Sequence, residues 1–258
     1  FISHDFGEVG DIVLEKQFNL YNYRDSAITI SSVSFNTSSF TTNTSFPITI
    51  DPLQSGIINI DVNNSVMGDI EDEMVLISND LPEGISVSLS VTGVEGNVLN
   101  GNLSGTYTSA TYRISGDITI ASGDTLLLEA GTEFLFDGQY NFNIYGTLKA
   151  IGTESDSIIF DNFGNERWRG FTLENASDQT TFEYVRISGA EKDDGGGMYL
   201  ESSHPTLMGV TISNNEASIG GGMWLESSNP ILTHVTISNN TANEGGGMRL
   251  YNYSNPIL

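Results

Sequence analysis

The sequence contains no cysteine and few basic residues. Its 258 residues include 33 Asp and Glu but only 9 Lys and Arg, which gives a net charge of −24. The lack of cysteine excludes disulfide bonds and thiolate metal sites. Because so acidic a chain repels the phosphate backbone, we expect no nucleic-acid partner.

Long apolar runs are also lacking, since no stretch of about 18 apolar residues is present. This excludes a membrane-spanning helix. The histidines, His4, His204 and His234, are isolated and lack the close spacing of metal-binding pairs. The chain begins at Phe1 without an initiator methionine or a signal peptide, so we interpret it as a mature or trimmed piece of a longer protein.

A 25-residue repeat dominates the C-terminal part of the sequence. Gly-Gly-Gly-Met begins at residue 195 and returns at residues 220 and 245. Val-Thr-Ile-Ser-Asn-Asn begins at residue 210 and returns at 235 with the same period. A period in the twenties, combined with short β-branched triplets, is typical of a solenoid.

Apolar and polar residues alternate within each repeat. This alternation predicts short strands, three in each coil, whose every second side chain points inward. We expect equivalent inward residues to stack from coil to coil, because a single coil cannot bury its own apolar side. The predicted ladders are Met198, Met223 and Met248; Leu200, Leu225 and Leu250; Val210 and Val235; and Ile212 and Ile237.

The order Gly-Gly-Gly-Met, Pro-x-Leu, Val-Thr-Ile-Ser-Asn-Asn resembles the repeats of right-handed parallel β-helices of bacterial surface and secreted proteins, within the pectate-lyase-like superfamily. Two earlier segments, Gly146–Leu148 and Trp168–Phe171, resemble the opening coils of the same family. The resemblance implies a parallel β-helix over residues 105–258, with about six coils. We expect it to be truncated, with further coils after Leu258.

Residues 1–95 have a different pattern, with strand-like segments about every ten residues and turn residues between them. Asp5–Gly10 and Leu76–Asp80 resemble immunoglobulin-like modules of the ASPM–SPD-2–Hydin type. The predicted fold is therefore all-β: an immunoglobulin-like β-sandwich, a Gly- and Asn-rich linker over residues 96–104, and the β-helix. An acidic cluster at residues 69–73 is interpreted as a solvated hairpin.

Aromatic and charged residues occupy the outward positions of the strand that carries the methionines. These residues are Tyr199, Trp224 and Arg249, with Glu201 and Glu226 beside them. Aromatic rings can pack against sugars while carboxylates bind their hydroxyl groups, so all five are candidates for carbohydrate contact. Alternatively, the rings stack on one another and stabilise adjacent coils.

Enzymatic chemistry has few candidate residues. The family resemblance implies that a lyase would need Ca²⁺ ligands and a basic residue, and the candidates are Asp193 and Asp194 with Lys192, Arg167, Arg169 and Arg186. The alternative for the two aspartates is a solvated turn. Glu201 and Glu226, one coil apart, are too close for the pair of an inverting glycosidase. We expect no cofactor, with Ca²⁺ at Asp193 and Asp194 kept as an alternative.

The preferred interpretation is a non-enzymatic structural or adhesive segment of a large multidomain bacterial protein, located at the cell surface or outside the cell. Its expected partners are other domains of the same chain, glycans or polysaccharides, and further copies of itself. Two alternatives stay open. One is a polysaccharide lyase or glycoside hydrolase whose catalytic coils lie outside this segment, and the other is a self-assembling extracellular filament subunit.

Overall fold

The computed structural model describes residues 2–10, 15–62, 68–78, 80–93 and 96–258. All regular secondary structure in these residues is β-structure, as predicted, and none of it is a helix that could cross a membrane. The chain forms two compact units, residues 1–98 and 99–258.

The first unit is built from two sheets. Its strands are β1 (Ile2–Val9), β2 (Glu15–Tyr21), β3 (Ile28–Phe35), β4 (Phe40–Thr42), β5 (Ile48–Ile50), β6 (Ser55–Val62), β7 (Gly68–Ser78) and β8 (Leu81–Gly93). One sheet has the order β1-β8-β7-β3-β5 and the other β2-β6-β4. Buried residues from both sheets, including Ile58, Met74 and Leu89, form one hydrophobic core, which is the arrangement of a β-sandwich.

Asp72 on β7 is an exception to the predicted solvated acidic hairpin. It is only 9% exposed because it shares a strand face with buried Ile70 and Met74. Its carboxylate accepts hydrogen bonds from the Thr37 hydroxyl at 2.6 Å and from the backbone N–H groups of Thr37 and Asn36. Burial alone would raise the pKa of Asp72, but these hydrogen bonds outweigh it and lower the pKa.

The second unit contains mostly short strands, and the longest of them is Thr111–Ile120. They are β9 (Asn97–Asn102), β10 (Gly105–Tyr107), β11 (Thr111–Ile120), β12 (Thr125–Leu128), β13 (Glu133–Phe136), β14 (Phe142–Ile144), β15 (Thr147–Ile151), β16 (Ile158–Asn162), β17 (Phe171–Glu174), β18 (Thr181–Glu183), β19 (Val185–Ser188), β20 (Glu191–Asp194), β21 (Met198–Glu201), β22 (Thr206–Met208), β23 (Thr211–Ser213), β24 (Glu216–Ile219), β25 (Met223–Glu226), β26 (Ile231–Thr233), β27 (Thr236–Ser238), β28 (Thr241–Glu244) and β29 (Met248–Tyr251).

These strands pair in parallel from coil to coil and form a β-helix. One sheet has the order β10-β12-β15-β18-β22-β26, so the solenoid has about six coils. A second sheet turns at the long strand β11, which pairs with β13 through its first half and with β14 through its second. From there one arm continues through β16, β19, β23 and β27, and the other through β17, β21, β25 and β29. β9 pairs with β11.

Each later coil has four strands rather than the three predicted. The additional strands, β20, β24 and β28, form a separate three-stranded sheet. On β24 all four residues are exposed or half-buried. The short alternation Glu-Ala-Ser-Ile on β24 is not repeated on β20 (Glu-Lys-Asp-Asp) or β28 (Thr-Ala-Asn-Glu), so the sequence gives no consistent strand signal for this sheet.

The interior residues of the repeat stack as ladders. Met198 pairs with Met223, which pairs with Met248, and the leucines two residues later keep the same register. Ile212 pairs with Ile237 on β23 and β27. Met198, Met223 and Ile212 are fully buried, whereas the last coil is less covered and leaves Leu250 44% exposed. Val210 is also fully buried and Val235 is half-buried.

The triple glycines form the corner before each methionine. Gly220 has a φ of +66°, which strains any residue with a Cβ atom. A Cβ atom on Gly221 would lie 2.6 Å from the carbonyl oxygens of Gly246 and Thr241 in the next coil. The motif therefore contains glycine both for its turn and for the close approach of neighbouring backbones.

Candidate functional site

Four outward side chains form a column on the arm β17-β21-β25-β29. Thr172 pairs with Tyr199, Tyr199 with Trp224, and Trp224 with Arg249. We call this surface the floor. Successive parallel strands lie about 4.8 Å apart, so the floor presents one such side chain per coil.

A second column on the floor lies two residues further along the same strands. It contains three carboxylates and ends at an aromatic residue. Its members are Glu174, Glu201, Glu226 and Tyr251. The three glutamates are half-buried.

The sheet β20-β24-β28 contacts the floor from the side, and we call it the wall. Lys192 on β20 donates a hydrogen bond from Nζ to Oγ1 of Thr172, and its Nζ lies 5.4 Å from the ring centroid of Tyr199. On β28, Glu244 lies 3.6 Å from Arg249 of the floor. Floor and wall therefore enclose a groove that crosses several coils, which we call the floor–wall groove.

Two cavities follow the wall. One of about 310 Å³ lies between floor and wall, and its lining includes Thr172, Tyr199 and Asp194. The other, of about 260 Å³, is lined in part by Lys192 and Ala217 and extends to the β28 strand. Both are lined by charged and hydroxyl side chains, a composition that suits a polar ligand.

The aromatic residues of the floor contact one another. The rings of Tyr199 and Trp224 have centroids 6.0 Å apart and are tilted by 52°, and Trp224 meets Tyr251 edge-on at 6.3 Å. The indole Nε1 of Trp224 is shielded from solvent and has no hydrogen-bond partner among the described residues. The coil-stabilising alternative therefore has direct contacts.

Tyr199 also joins two carboxylates. Its hydroxyl lies 3.1 Å from Oε2 of Glu226 and 3.4 Å from Oε2 of Glu201, and it is the donor to each. Burial raises the pKa of Tyr199 strongly, and the hydrogen bond to Glu226 and the two negative charges raise it further. The tyrosine is thus held in its neutral, hydrogen-donating form.

Two charged groups of the wall have shifted pKa values. Burial lowers the pKa of Lys192, and the charge of Arg169 lowers it further, although Glu174 and Asp194 oppose the shift. Burial raises the pKa of Asp194, and the charge of Asp193 adds to this while Lys192 opposes it. Both shifts arise because partly buried charges lose hydration in the groove.

The candidate metal ligands Asp193 and Asp194 line the groove, but within the described part of the chain no three His, Cys, Asp or Glu residues are grouped to hold a metal ion. Asp193 is exposed and Asp194 is half-buried. Two carboxylates alone provide few of the six to eight oxygen ligands that Ca²⁺ takes.

The basic residues considered for catalysis are dispersed. Arg169 shares the 260 Å³ cavity with Lys192 and donates to Gln139 at 2.7 Å. Arg167 instead donates to the carbonyl of Asn214 at 2.9 Å, and Arg186 pairs with Thr211 on the other arm. Of the four, only Lys192 and Arg169 thus line this cavity.

Sequence reasoning did not identify the wall as one side of a groove. Thr172, Glu174 and Tyr251 extend the floor columns beyond the predicted residues, and Ala217 takes the position of Lys192 one coil later. The 25-residue period relates Lys192 to Ala217 and could have indicated the shared column. It could not have shown that this column faces the floor.

The family model described as "Right handed beta helix region" matches residues 90–258. The chain belongs to the right-handed β-helix family. This agrees with the parallel pairing of the second unit. Among curated proteins, no sequence matches this β-helix protein significantly.

Two solved structures have low similarity to this β-helix protein. A protein of unknown function from Porphyromonas gingivalis W83 is 18% identical with a TM-score of 0.31, and the VesB protease of Vibrio cholerae is 13% identical with a TM-score of 0.28. Each match covers 35% of this chain, and 43% and 30% of the respective relative. At this similarity neither informs the function.

Proposed function

We propose that this chain is a structural and adhesive, non-enzymatic segment of a bacterial protein at or outside the cell surface, and that it binds a glycan in the floor–wall groove. The observation that carries the proposal is the contacting ring pair Tyr199 and Trp224, flanked by the carboxylates Glu201 and Glu226. Rings provide apolar faces for pyranose C–H groups, and carboxylates accept hydrogen bonds from sugar hydroxyls.

The repeat supports the adhesive part of the proposal. Equivalent floor positions recur once per coil, so a chain of sugars lying along the groove would make several similar contacts. Weak contacts repeated along one rigid surface add their effects and raise the overall affinity. Arg249 at the end of the floor column extends the polar contacts by one coil.

The structural part follows from the continuous parallel pairing of the coils. Each coil is held by backbone hydrogen bonds to its neighbours and by buried ladders, so the solenoid resists bending. In this proposal the first unit is an immunoglobulin-like spacer of the ASPM–SPD-2–Hydin type, and the β-helix is of the pectate-lyase-like type. Other domains of a longer chain would be its immediate partners.

A glycan array probed with the full chain and with Trp224→Ala tests the proposal. We expect the wild-type chain to bind a subset of glycans and the variant to lose about two- to tenfold in affinity, since one ring–sugar contact has the strength of an aromatic pair. Tyr145→Ala is the matched control, because Tyr145 is an exposed ring elsewhere on the same β-helix. Equal binding by Trp224→Ala and wild type would contradict the proposed site.

A second candidate function is that of a polysaccharide lyase, favoured by Lys192, whose lowered pKa and position beside Asp194 suit a basic residue in a polar cavity. Incubating the chain with acidic polysaccharides, with and without Ca²⁺, tests this function. Unsaturated products that disappear in Lys192→Met would support it, whereas intact polysaccharide in all samples would exclude it for these substrates.

A further inference from the structure

The groove already holds one ammonium group, and the chain itself supplies it. Nζ of Lys192 donates to the hydroxyl of Thr172 and lies 5.4 Å from the ring centroid of Tyr199, within the range of a cation–π contact. The negative charges of Glu174 and Asp194 also act on it. A hydroxyl, an aromatic ring and carboxylates therefore surround this ammonium.

One coil further along, part of these surroundings recurs without the lysine, although Ile219 replaces Asp194. The register pairs Lys192 with Ala217, and Ala217 has no amino group. Tyr199 takes the register position of Thr172, with its hydroxyl bonded to Glu226 and Glu201, and the aromatic ring is that of Trp224. Glu201 takes the position of the preceding glutamate. This second position thus has an aromatic ring and a carboxylate but no ammonium from the chain.

The wall side chain at this second position is short. Ala217 has a single methyl group where Lys192 has a long side chain, and it lines the 260 Å³ cavity of the wall together with Lys192 and Ala242. Indole is the best of the natural rings for a cation–π contact, so the replacement of Tyr199 by Trp224 strengthens this feature. Glu226 adds a further carboxylate on the same side, hydrogen-bonded to Tyr199.

We propose that the glycan bound in the floor–wall groove carries free amino groups, and that one of its ammonium groups lies beside Ala217, at the position that Lys192 fills in the preceding coil. The inference rests on the proposed glycan-binding function and specifies its ligand class as amino sugars. Ring faces on the floor distinguish this ligand from a simple polyamine, since they also pack against the pyranose ring.

Calorimetric titration of the full chain with two matched oligosaccharides tests the inference. The probes are a β-linked glucosamine oligomer and its fully N-acetylated counterpart of the same length, which differ in charge. We expect the amino form to bind about tenfold more tightly, the effect of a cation–π contact together with carboxylate attraction. Raising the salt concentration should reduce this preference, because screening weakens the charge interaction.

A lysine introduced at position 217 would place an ammonium group of the chain itself at the proposed position and so compete with the ligand's amino group. Ala217→Lys should abolish the preference for the amino form, whereas Ala242→Lys, which adds the same charge one coil further along, should retain most of it. If Ala217→Lys fails to fold, Glu201→Gln removes the charge at that position without changing the shape. It should lower the preference at least threefold, since removing one carboxylate weakens the attraction.

The outcomes separate the inference from the proposed function. Equal or tighter binding of the acetylated oligomer would overturn the amino-sugar inference and leave glycan binding supported. Oligolysine of equal charge should bind more weakly than the glucosamine oligomer, and equal binding would also overturn the inference. Binding of neither sugar would overturn the inference, and the glycan array would then decide the proposed function independently.

Discussion

The side-chain amide of Asn215 donates a hydrogen bond to the side-chain oxygen of Asn240, one coil further along, at 3.1 Å. Asn215 also donates to the carbonyl of Ile187 at 3.1 Å and accepts from the backbone N–H of Ala190 at 3.0 Å. Asn215 is 1% exposed, so water cannot replace these partners. The two asparagines therefore satisfy the buried polar groups of a corner across neighbouring coils.

Replacing Asn215 with alanine should destabilise the β-helix by about 1–3 kcal/mol, because the N–H of Ala190 and the carbonyl of Ile187 would lose their partner while buried. Chemical denaturation followed by circular dichroism measures this change. Asn243→Ala, at an exposed position on β28, is the control and should change the free energy of unfolding by less than about 0.5 kcal/mol. Equal stability of the two variants would show that the asparagine ladder contributes nothing.

The triple-glycine corner leads to a second prediction. Gly221→Ala should destabilise the chain by at least about 1–3 kcal/mol, since its Cβ atom would lie 2.6 Å from two carbonyl oxygens and force neighbouring coils apart. Gly247→Ala is the matched control from the last repeat, where the nearest atom to a new Cβ is a methyl carbon of Ile237 at 3.6 Å. Thermal unfolding of both variants measures the difference, and a Gly221→Ala chain as stable as the control would contradict the close approach.

The ladders and the family could be predicted from sequence because both depend on the same residues recurring at a fixed spacing. Met198, Met223 and Met248 are equivalent by counting alone, and their burial requires only that the coils stack. The wall could not be predicted in this way, because its three strands, Glu-Lys-Asp-Asp, Glu-Ala-Ser-Ile and Thr-Ala-Asn-Glu, share no repeated apolar residues that are buried. The contact of Lys192 with Thr172 also escaped prediction, since the lysine is not repeated in the later coils.

The burial of Asp72 shows a second limit. Its acidic neighbours Asp69, Glu71 and Glu73 suggest a solvated hairpin, and Asp69 and Glu71 are indeed exposed. Strand periodicity places Asp72 on the opposite face, with Ile70. Only the three-dimensional structure shows that its carboxylate accepts hydrogen bonds from the backbone N–H groups of Asn36 and Thr37. A charged residue on a core face is thus explained by partners distant in sequence.

Asp72 should make the stability of the first unit depend on pH. Its pKa is lowered on folding, so the carboxylate contributes stability above the pKa of an unfolded aspartate, about 3.9. This contribution is lost as the pH falls through that value towards the lower folded pKa. Denaturation of the full chain between neutral and acid pH should therefore show a weaker dependence in Asp72→Asn than in wild type. Asp25→Asn, which removes an exposed carboxylate, is the control and should keep the wild-type dependence of stability on pH. Equal profiles for wild type and Asp72→Asn would contradict the prediction.

Tyr199 should ionise only at a pH well above that of an ordinary tyrosine, about 10. Burial favours the neutral phenol, and the carboxylates of Glu226 and Glu201 disfavour a third negative charge beside them. Because the folded pKa is raised, the stability from this group is present below pH 10 and is lost as the pH rises towards the folded pKa. Ultraviolet titration should show that Tyr199→Phe removes a late-ionising tyrosine, whereas Tyr145→Phe, at an exposed ring, should leave the late phase in place. Loss of an early phase in Tyr199→Phe would show that the hydroxyl does not donate to the two glutamates in solution.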